Sequence, residues 1–590
     1  MQAAQHSFSW FDFGARCPQS PPGASIFIVA QQVVFACGTI ACAGMTAAAI
    51  AAEVARQTRS RNSARIGENY TACHAPLNHF SRLEFWALAK SGARLIRLRS
   101  LCDLVTPARN ATHNVAGGRH SSYVTCIQIM KRKILFLSLL SFLQILLVHF
   151  FLLQGFVNSG DEQAYLFQAR LFSRGQLYVE DPIYDLAHPL NKYVAADAMD
   201  DAGGRRFAKY APGWPALLSL GTRLRVEWVV APVLGALTVF LILSYVRKRI
   251  GDELVVATWW LVTLCAFFLF SVANFGAHTA TMTFLLGAFV LYDSTRGDDP
   301  VDHSYWRLLG VGLLLGYCSL IRYLDWIPLM GWIAFDLLRR RKIKEVILVL
   351  LGFGLLASCN LLYNKLLTGN PFQPPFAHDV RNTGTRLGLS WQGFVVTGVR
   401  LARVLYALPP AALLIWCLVR PCRNAGLKAC LAIFALDVLA YFFYPWGVAG
   451  PGPRYYFPYF PFLILAVVEL YRLNREQWIG RTGWRLAMAC LIVCSFSYGA
   501  RHTREIYRRR DLERAVATIP ETKRIILLQS GTYKMSIPDL IRNPPDLWSA
   551  DILYLAYDDG GMEIIDLLNR FPNHSVYVYR YPGLLRPWNG

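Results

Sequence analysis

Long apolar runs recur along most of the chain, separated by short basic clusters, and this pattern constrains the fold more than any other feature. The first convincing run is "MKRKILFLSLLSFLQILLVHFFLLQGF", which begins at Met130. A bilayer core takes ~20 consecutive apolar residues of helix to cross. On that basis the sequence predicts a polytopic α-helical membrane protein with about eleven spans after Met130. They lie near 134–156, 226–246, 254–272, 276–292, 307–321, 324–338, 345–364, 401–419, 428–445, 455–471 and 485–500. Composition agrees: 54% of residues are hydrophobic and 17% charged, where soluble domains carry about a quarter charged residues.

The net charge of +22 does not point to nucleic acid, because Lys and Arg gather in short clusters between apolar runs. One set of alternate loops holds Lys131-Arg132-Lys133, Arg247-Lys248-Arg249, Arg339-Arg340-Arg341-Lys342, Arg420 with Arg423, and Arg472 with Arg475, Arg481 and Arg485. The other set, "SVANFGAHT", "IRYLD" and "PWGVAGPGPRYY", has almost none. Cation-rich loops stay cytoplasmic. The pattern therefore predicts a cytoplasmic N-terminus and, for an odd number of spans, a C-terminus on the opposite side. Segments 157–225, 366–400 and 501–590 then face outward. The last alternates "RIILLQS", "DILYLAY" and "SVYVYRY" with a helical "GMEIIDLLNR", which reads as a small α/β C-terminal outer domain.

Residues 1–129 read differently. They hold one Ala-rich apolar run and then a basic stretch without steady periodicity. Three cations before a long apolar run at Met130 resemble a signal-anchor at a true N-terminus. The expected organisation is a dispensable extension over 1–129, a transmembrane domain over 130–500 and an outward-facing domain over 501–590. The alternative for the extension is one extra apolar helix at roughly 25–52.

Several of the 14 Cys lie inside apolar runs, and Cys490 and Cys494 at helical spacing have no His or acid beside them. Small membrane-buried residues explain them better than metal ligands. HExxH, P-loop and GxSxG motifs are missing, which lowers the case for a metalloprotease, an ATPase or a serine hydrolase.

Directly after the first span comes "SGDEQAYLFQARLFSRGQL". Ser159 or Asp161 can cap a helix, Glu162 suits its positive end, and Gly175 sits where a C-cap belongs. Tyr165, Gln168, Ala169 and Phe172 share one face, which suggests a surface helix lying along the membrane. Asp161 is either an ordinary cap or a member of a catalytic acidic pair. Further on, "DDAGGRRFAKYAPGWPALLSLG" cannot be regular helix around Pro212 and Pro215. Lys209 and Tyr210 just before that turn suit a phosphate or a sugar hydroxyl, or Lys209 simply snorkels to the interface. His278, Arg322 with Asp325, Asn364 and Arg454 fall at the outward ends of spans. Ionisable groups at such depth are costly and are functional candidates.

This order of motifs resembles the polyprenyl-phosphate-sugar-dependent integral-membrane glycosyltransferases of the GT-C fold. Within them it is most similar to protein O-mannosyltransferases, aminoarabinose transferases and related family-39-like enzymes. The matching stretches are "GDEQAYLFQARLF", "KYAPGWPALLSLG", "AHTATMTFLL", "LIRYLDWIPL", "LLYNKLLTGNPFQPPF" and "GPRYYFPYFPFLILA", covering roughly residues 131 to 471.

The resemblance implies transfer of a sugar from an isoprenoid phosphate to an acceptor at the outer membrane face, with inversion. Asp161 would be the general base, with Glu162 orienting the acceptor or a cation. Lys209, Arg322, His278 and Arg454 would meet the donor phosphate, and Tyr210 would bond donor or acceptor. Tyr165, Asn364 and Asn370 are candidates for acceptor contact or for structure. Some relatives use a divalent metal and others do not; Asp161 and Glu162 are able to bind one, so a divalent metal stays possible but unassigned and no cofactor is certain. Expected partners are the lipid-linked sugar, a protein, lipid or glycan acceptor and membrane lipid, in a bacterial inner membrane with a periplasmic site. Competing readings are a lipid-linked sugar flippase or transporter, and an O-antigen polymerase or ligase. A transporter would place charges near the midplane of several spans, whereas here they sit at the outer ends.

Overall fold

A computed structural model describes residues 119–180, 199–201, 204–296, 304–378, 391–419, 424–444, 452–477, 479–529, 540–557, 562–580 and 583–588. The apolar run expected at 25–52 lies outside the described residues. The chain is a multi-pass α-helical membrane protein. Helix α1 (Arg119–Leu147) runs through Met130 and ends in a π-helical turn over Val148–Leu152. The acidic helix α2 (Gly160–Ser173) follows, then α3 (Gly213–Arg223), α4 (Glu227–Tyr245), α5 (Val255–Thr263), α6 (Ala266–Val272) and α7 (His278–Ser294). Next come α8 (Ser304–Ile321), α9 (Ile327–Arg339), α10 (Ile343–Thr368), α11 (Trp391–Ala407), α12 (Ala425–Phe442), α13 (Phe460–Asn474) and α14 (Trp484–Arg509).

Among the described residues six helices are long and apolar enough to cross a membrane, or up to eight if each bent pair is one span. That is fewer than the eleven runs read from sequence, for two physical reasons. The run 254–272 is α5 and α6 meeting at 72°, because Cys265 between them is extended. The run 401–419 breaks after α11 at an angle of 115°, where Leu408 leaves helical geometry just before Pro409 and Pro410. Second, beyond these broken runs, α7, α8 and α9 span only 17, 18 and 13 residues, less than the ~20 that a bilayer crossing takes.

Inner faces of these helices form one apolar core, with α13 the most buried of the spans. Leu135, Phe136, Phe151, Leu351 and Leu355 stay exposed on α1, its π turn and α10, as expected for side chains that meet lipid. Helices α8 and α10 touch backbone to backbone. A Cβ on Gly312 would meet the Val349 carbonyl oxygen at 2.2 Å, and one on Gly352 would meet that of Leu309 at 2.4 Å. Small residues permit such approach between membrane helices. Buried hydroxyls pin neighbours, as where Thr238 and Thr283 lie 2.8 Å apart and where Trp259 Nε1 donates to Ser141 Oγ at 2.9 Å.

Between α2 and α3 the chain forms a small antiparallel sheet of β1 (Val179–Glu180), β2 (Met199–Asp201) and β3 (Arg205–Ala208), with β3 in the middle. After α14 come the short helix α15 (Asp511–Val516), β4 (Arg524–Gln529), β5 (Ile552–Tyr557), α16 (Met562–Asn569), β6 (Ser575–Arg580) and β7 (Leu584–Pro587). Their sheet order is β5-β4-β6-β7, with β4 parallel to both neighbours and β7 antiparallel to β6. The continuous apolar run of β4 follows from burial on both faces. Ile525 and Leu527 pack towards Ile564, Leu567 and Leu568 of α16.

On the other face Ile526 and Leu528 pack with Leu512 and Val516 of α15 and with Ala164, Phe167 and Leu171 of α2. The acidic helix therefore does not lie free along the membrane surface as its sequence suggested. It is buried nearly all round, between this sheet and a second cluster of Tyr165, Leu166 and Ala169 with Trp214, Ala231 and Ile321. A helix apolar on two sides needs two partners, and α2 has both.

Candidate active site

The helix start sets the centre of the site. Ser159 is extended and its Oγ accepts the Glu162 N–H at 3.3 Å, which satisfies one of the free amides at the helix end. Successive residues on a helix point about 100° apart, so the two acids diverge. Asp161 is half-exposed at its side chain. Its Oδ1 accepts from the Tyr210 hydroxyl at 2.6 Å, and its Oδ2 lies 3.5 Å from Arg454 Nη1.

Glu162 is buried, and its Oε2 accepts the Asn158 N–H at 3.1 Å. Burial pushes its carboxyl up to about 7, the negative charge of Asp161 adds to this, and the Asn158 and Phe275 amides with Arg509 oppose it. The adjacent acids are thus one open carboxylate and one buried acid that gives up its proton only near physiological pH.

Tyr210 sits on the turn between β3 and α3, with its ring 4.8 Å from that of Tyr165. Burial, with the Asp161 charge next, pushes the Tyr210 phenol well up. It therefore stays protonated and donates to Asp161. The turn is fixed from behind, where Trp214 Nε1 donates to the Phe275 carbonyl at 2.7 Å. A Cβ on Gly213 would come within 2.7 Å of the Leu320 backbone.

Opposite Asp161 the cations gather around one aromatic ring. The guanidinium of Arg454 lies 5.2 Å from the Tyr455 ring centroid, that of Arg322 5.7 Å and that of Arg400 4.9 Å. His278, at the start of α7, meets the same ring edge-on at 6.4 Å. Arg322 is held by Asp325, which accepts from its Nε at 2.6 Å, and by the Tyr441 hydroxyl at 3.0 Å from Nη2. Tyr441 in turn donates to Asp325. Cations over aromatic faces are attracted by the ring quadrupole, so Tyr455 holds together groups that would repel one another.

The protein-family models and the curated proteins give no match to this chain. Solved structures give remote ones. The crystal structure of ArnT from Cupriavidus metallidurans bound to undecaprenyl phosphate is 11% identical, with 74% of this chain and 91% of that chain covered and a TM-score of 0.47. The oligosaccharyltransferase of Archaeoglobus fulgidus in the apo form is 10% identical, with 67% and 62% covered and a TM-score of 0.37. AglB from the same organism, in complex with an inhibitory peptide and a dolichol-phosphate, is 11% identical with 68% and 62% covered and a TM-score of 0.36.

Of the residues singled out in the sequence, Asp161, Tyr165, Tyr210, Arg454, Arg322 and His278 converge here. Lys209 follows β3 beside Tyr210, with its ammonium 5.6 Å from the Phe376 ring. Glu162 turns away into the packing. Asn364 and Asn370 build the loop after α10: Asn364 Nδ2 donates to the Pro371 carbonyl at 3.1 Å, and Asn370 Oδ1 accepts the Phe372 N–H at 3.0 Å.

Sequence reading passed over Arg400, Tyr441, Tyr455 and Asp437. Arg400 is buried and donates to the Tyr441 and Tyr444 carbonyls, both at 2.9 Å. Its signal was present, since a cation interrupts the apolar "FVVTGVRLARV". Asp437 is a lone acid in "LAIFALDVLAY"; it is wholly buried, and neither of its oxygens has a hydrogen-bond partner among the described residues.

No group of three or more His, Cys, Asp or Glu that could hold a metal comes together among the described residues. The oxygens of Asp161 face a phenol and a guanidinium, and Glu162 faces backbone amides, a donor set that does not fit a divalent cation.

Proposed function

We propose that the chain is an integral-membrane glycosyltransferase that moves a sugar from a polyprenyl-phosphate donor to a hydroxyl acceptor, inverting at the anomeric carbon. One observation carries the reading: an accessible carboxylate, Asp161, fixed by Tyr210 and Arg454, stands beside a group of cations collected on Tyr455. Such a site offers a base and an anion clamp side by side, which is what displacement at a sugar-phosphate carbon requires.

In this reading Asp161 takes the proton of the acceptor hydroxyl as its oxygen bonds to the anomeric carbon. The bond from that carbon to the phosphate oxygen breaks, and its electron pair leaves on the lipid phosphate. Arg454, Arg322, His278 and Lys209 stabilise the charge that grows there. Donors fixed before the reaction cost no reorganisation during it. Glu162 supports the helix end from behind, and Tyr165 shapes the pocket under Tyr210. The cation-poor loops near the site favour its placement on the outer, non-cytoplasmic face.

The test is transfer from a radiolabelled polyprenyl-phosphate sugar by purified protein in proteoliposomes. Asp161→Asn is expected to abolish product while donor binding and membrane insertion persist. Turnover by that variant would remove Asp161 as the base. Scrambling of donor without any glycosylated product would favour a flippase instead.

A further inference from the structure

The segment that joins α1 to α2 is short and sharply turned, and Gln154 and Gly155 are both left-handed, with φ of 55° and 62°. Three arginines from the far end of the chain grip it at alternate residues. Arg510 Nη1 donates to Gln154 Oε1 at 2.5 Å. The Arg542 guanidinium lies 4.3 Å from the Phe156 ring centroid. Arg509 Nη1 donates to the Asn158 carbonyl at 2.5 Å. These arginines are braced in turn, because Glu513 accepts from both Arg510 and Arg542, and Glu505 accepts from Arg509 Nε at 3.2 Å. Asn158 then passes the contact on, since its own N–H donates to Glu162 Oε2, and Glu162 is the neighbour of Asp161 on the first turn of α2.

We propose that Arg509 is a positioning residue that sets the Asp161 carboxylate through Asn158 and Glu162, so that the end of α14 and the C-terminal sheet clamp the reacting helix. The inference rests on Asp161 being the base. The contacts form one unbroken chain: guanidinium, Asn158 carbonyl, Asn158 N–H, Glu162 carboxyl, helix start. Glu162 is faced by Asp161 on its own helix, by Arg509 from α14 and by the Phe275 N–H from the loop before α7. His149 of the π-helical turn after α1 stands behind, its ring 5.7 Å from that of Phe275. Among the described residues, Arg509 is the cation that acts on Glu162, and it opposes the upward push of burial. Removing it favours the protonated form further.

The experiment compares wild type, Arg509→Gln, Arg509→Lys, Glu162→Gln, the double variant Arg509→Gln/Glu162→Gln and Asp161→Asn in the transfer assay over a range of pH. Arg509→Gln is expected to lower kcat roughly tenfold or more, as a small misplacement of a reacting group does, with the donor KM changed less than about twofold. In this proposal the acidic limb of the kcat profile reports ionisation of Glu162, so in Arg509→Gln it should move to higher pH, and Arg509→Lys should restore it. The double variant should be no slower than Glu162→Gln alone, because both changes act on one path. A wild-type limb in Arg509→Gln, or additive losses in the double variant, would overturn the inference even with Asp161→Asn inactive. Turnover by Asp161→Asn would instead sink the reading of the base. If Arg509→Gln does not yield folded protein, the limb of Arg509→Lys and of Glu162→Gln decides: a limb unmoved in Glu162→Gln overturns the proposal.

Discussion

Replacing Tyr210 with Phe removes one atom from the site and little else. The Tyr210 hydroxyl donates to Asp161 Oδ1 at 2.6 Å, while its ring stays packed 4.8 Å from that of Tyr165. Phe keeps that ring contact and the shape of the turn before α3. What is lost is a hydrogen bond to a charged group, worth about 1.5–3 kcal/mol. Among the described residues Asp161 is then held by Arg454, at 3.5 Å and half-exposed, which is a weak tether. If the whole of that bond serves to aim the carboxylate in the transition state, kcat falls roughly 10- to 150-fold at 1.36 kcal/mol per decade. The donor KM should change little, because the phenol faces the acid and not the cations. The assay is initial-rate transfer from a polyprenyl-phosphate sugar with both substrates varied. A Tyr210→Phe variant with the wild-type kcat would refute the claim that this bond orients Asp161. A variant that lost only donor affinity would move Tyr210 to the anion side of the site.

Two further outcomes concern stability. The carboxyl of Glu162 is raised from 4.5 to about 7 in the folded protein. Its contribution is therefore fully present below about pH 4.5 and is lost as pH rises towards about 7, a change of roughly 3 kcal/mol; Glu162→Gln should flatten the pH dependence of thermal melting in detergent across that window. Gly312→Val would drive a side chain into the Val349 carbonyl 2.2 Å from the new Cβ, and with backbone on both sides the helices α8 and α10 must part, so a loss of about 1–3 kcal/mol or more is expected, read as a lower melting temperature.

Much of the architecture was legible because its causes are local. Apolar runs give helices, Ser159 and Gly175 bracket α2, and the three β-branched and aromatic runs of the C-terminal region are β4, β5 and β6. The breaks at Cys265 and Leu408 were not legible as breaks, since hydropathy stays high through them and only backbone geometry reveals the turn. The divergence of Asp161 and Glu162 follows from helix geometry, but which of the two stays open does not. That depends on Asn158, Phe275 and Arg509, which come from three separate parts of the chain. Arg400 and Tyr455 escaped notice for a similar reason: a cation in an apolar run acquires meaning only when a ring from the turn before α13 arrives beneath it. Pattern reading finds faces of helices and cannot find a second partner for a face already assigned, which is why α2 read as a membrane-surface helix.

The shared core of α2 and the C-terminal sheet also has a consequence for how the molecule is made. Ala164, Phe167 and Leu171 are synthesised early, and Ile526, Leu528 and Tyr579, which cover them, come from strands made long afterwards. During synthesis the acidic helix waits with one apolar side bare, and its joining segment lacks all three arginine grips. The apolar side of α2 is covered only once the distant strands have formed and docked. A chain truncated after α14 would therefore keep Asp161, Tyr210 and Arg454 but lack the strands that cover α2, and completion of the sheet is coupled to the packing of the helix that carries Asp161.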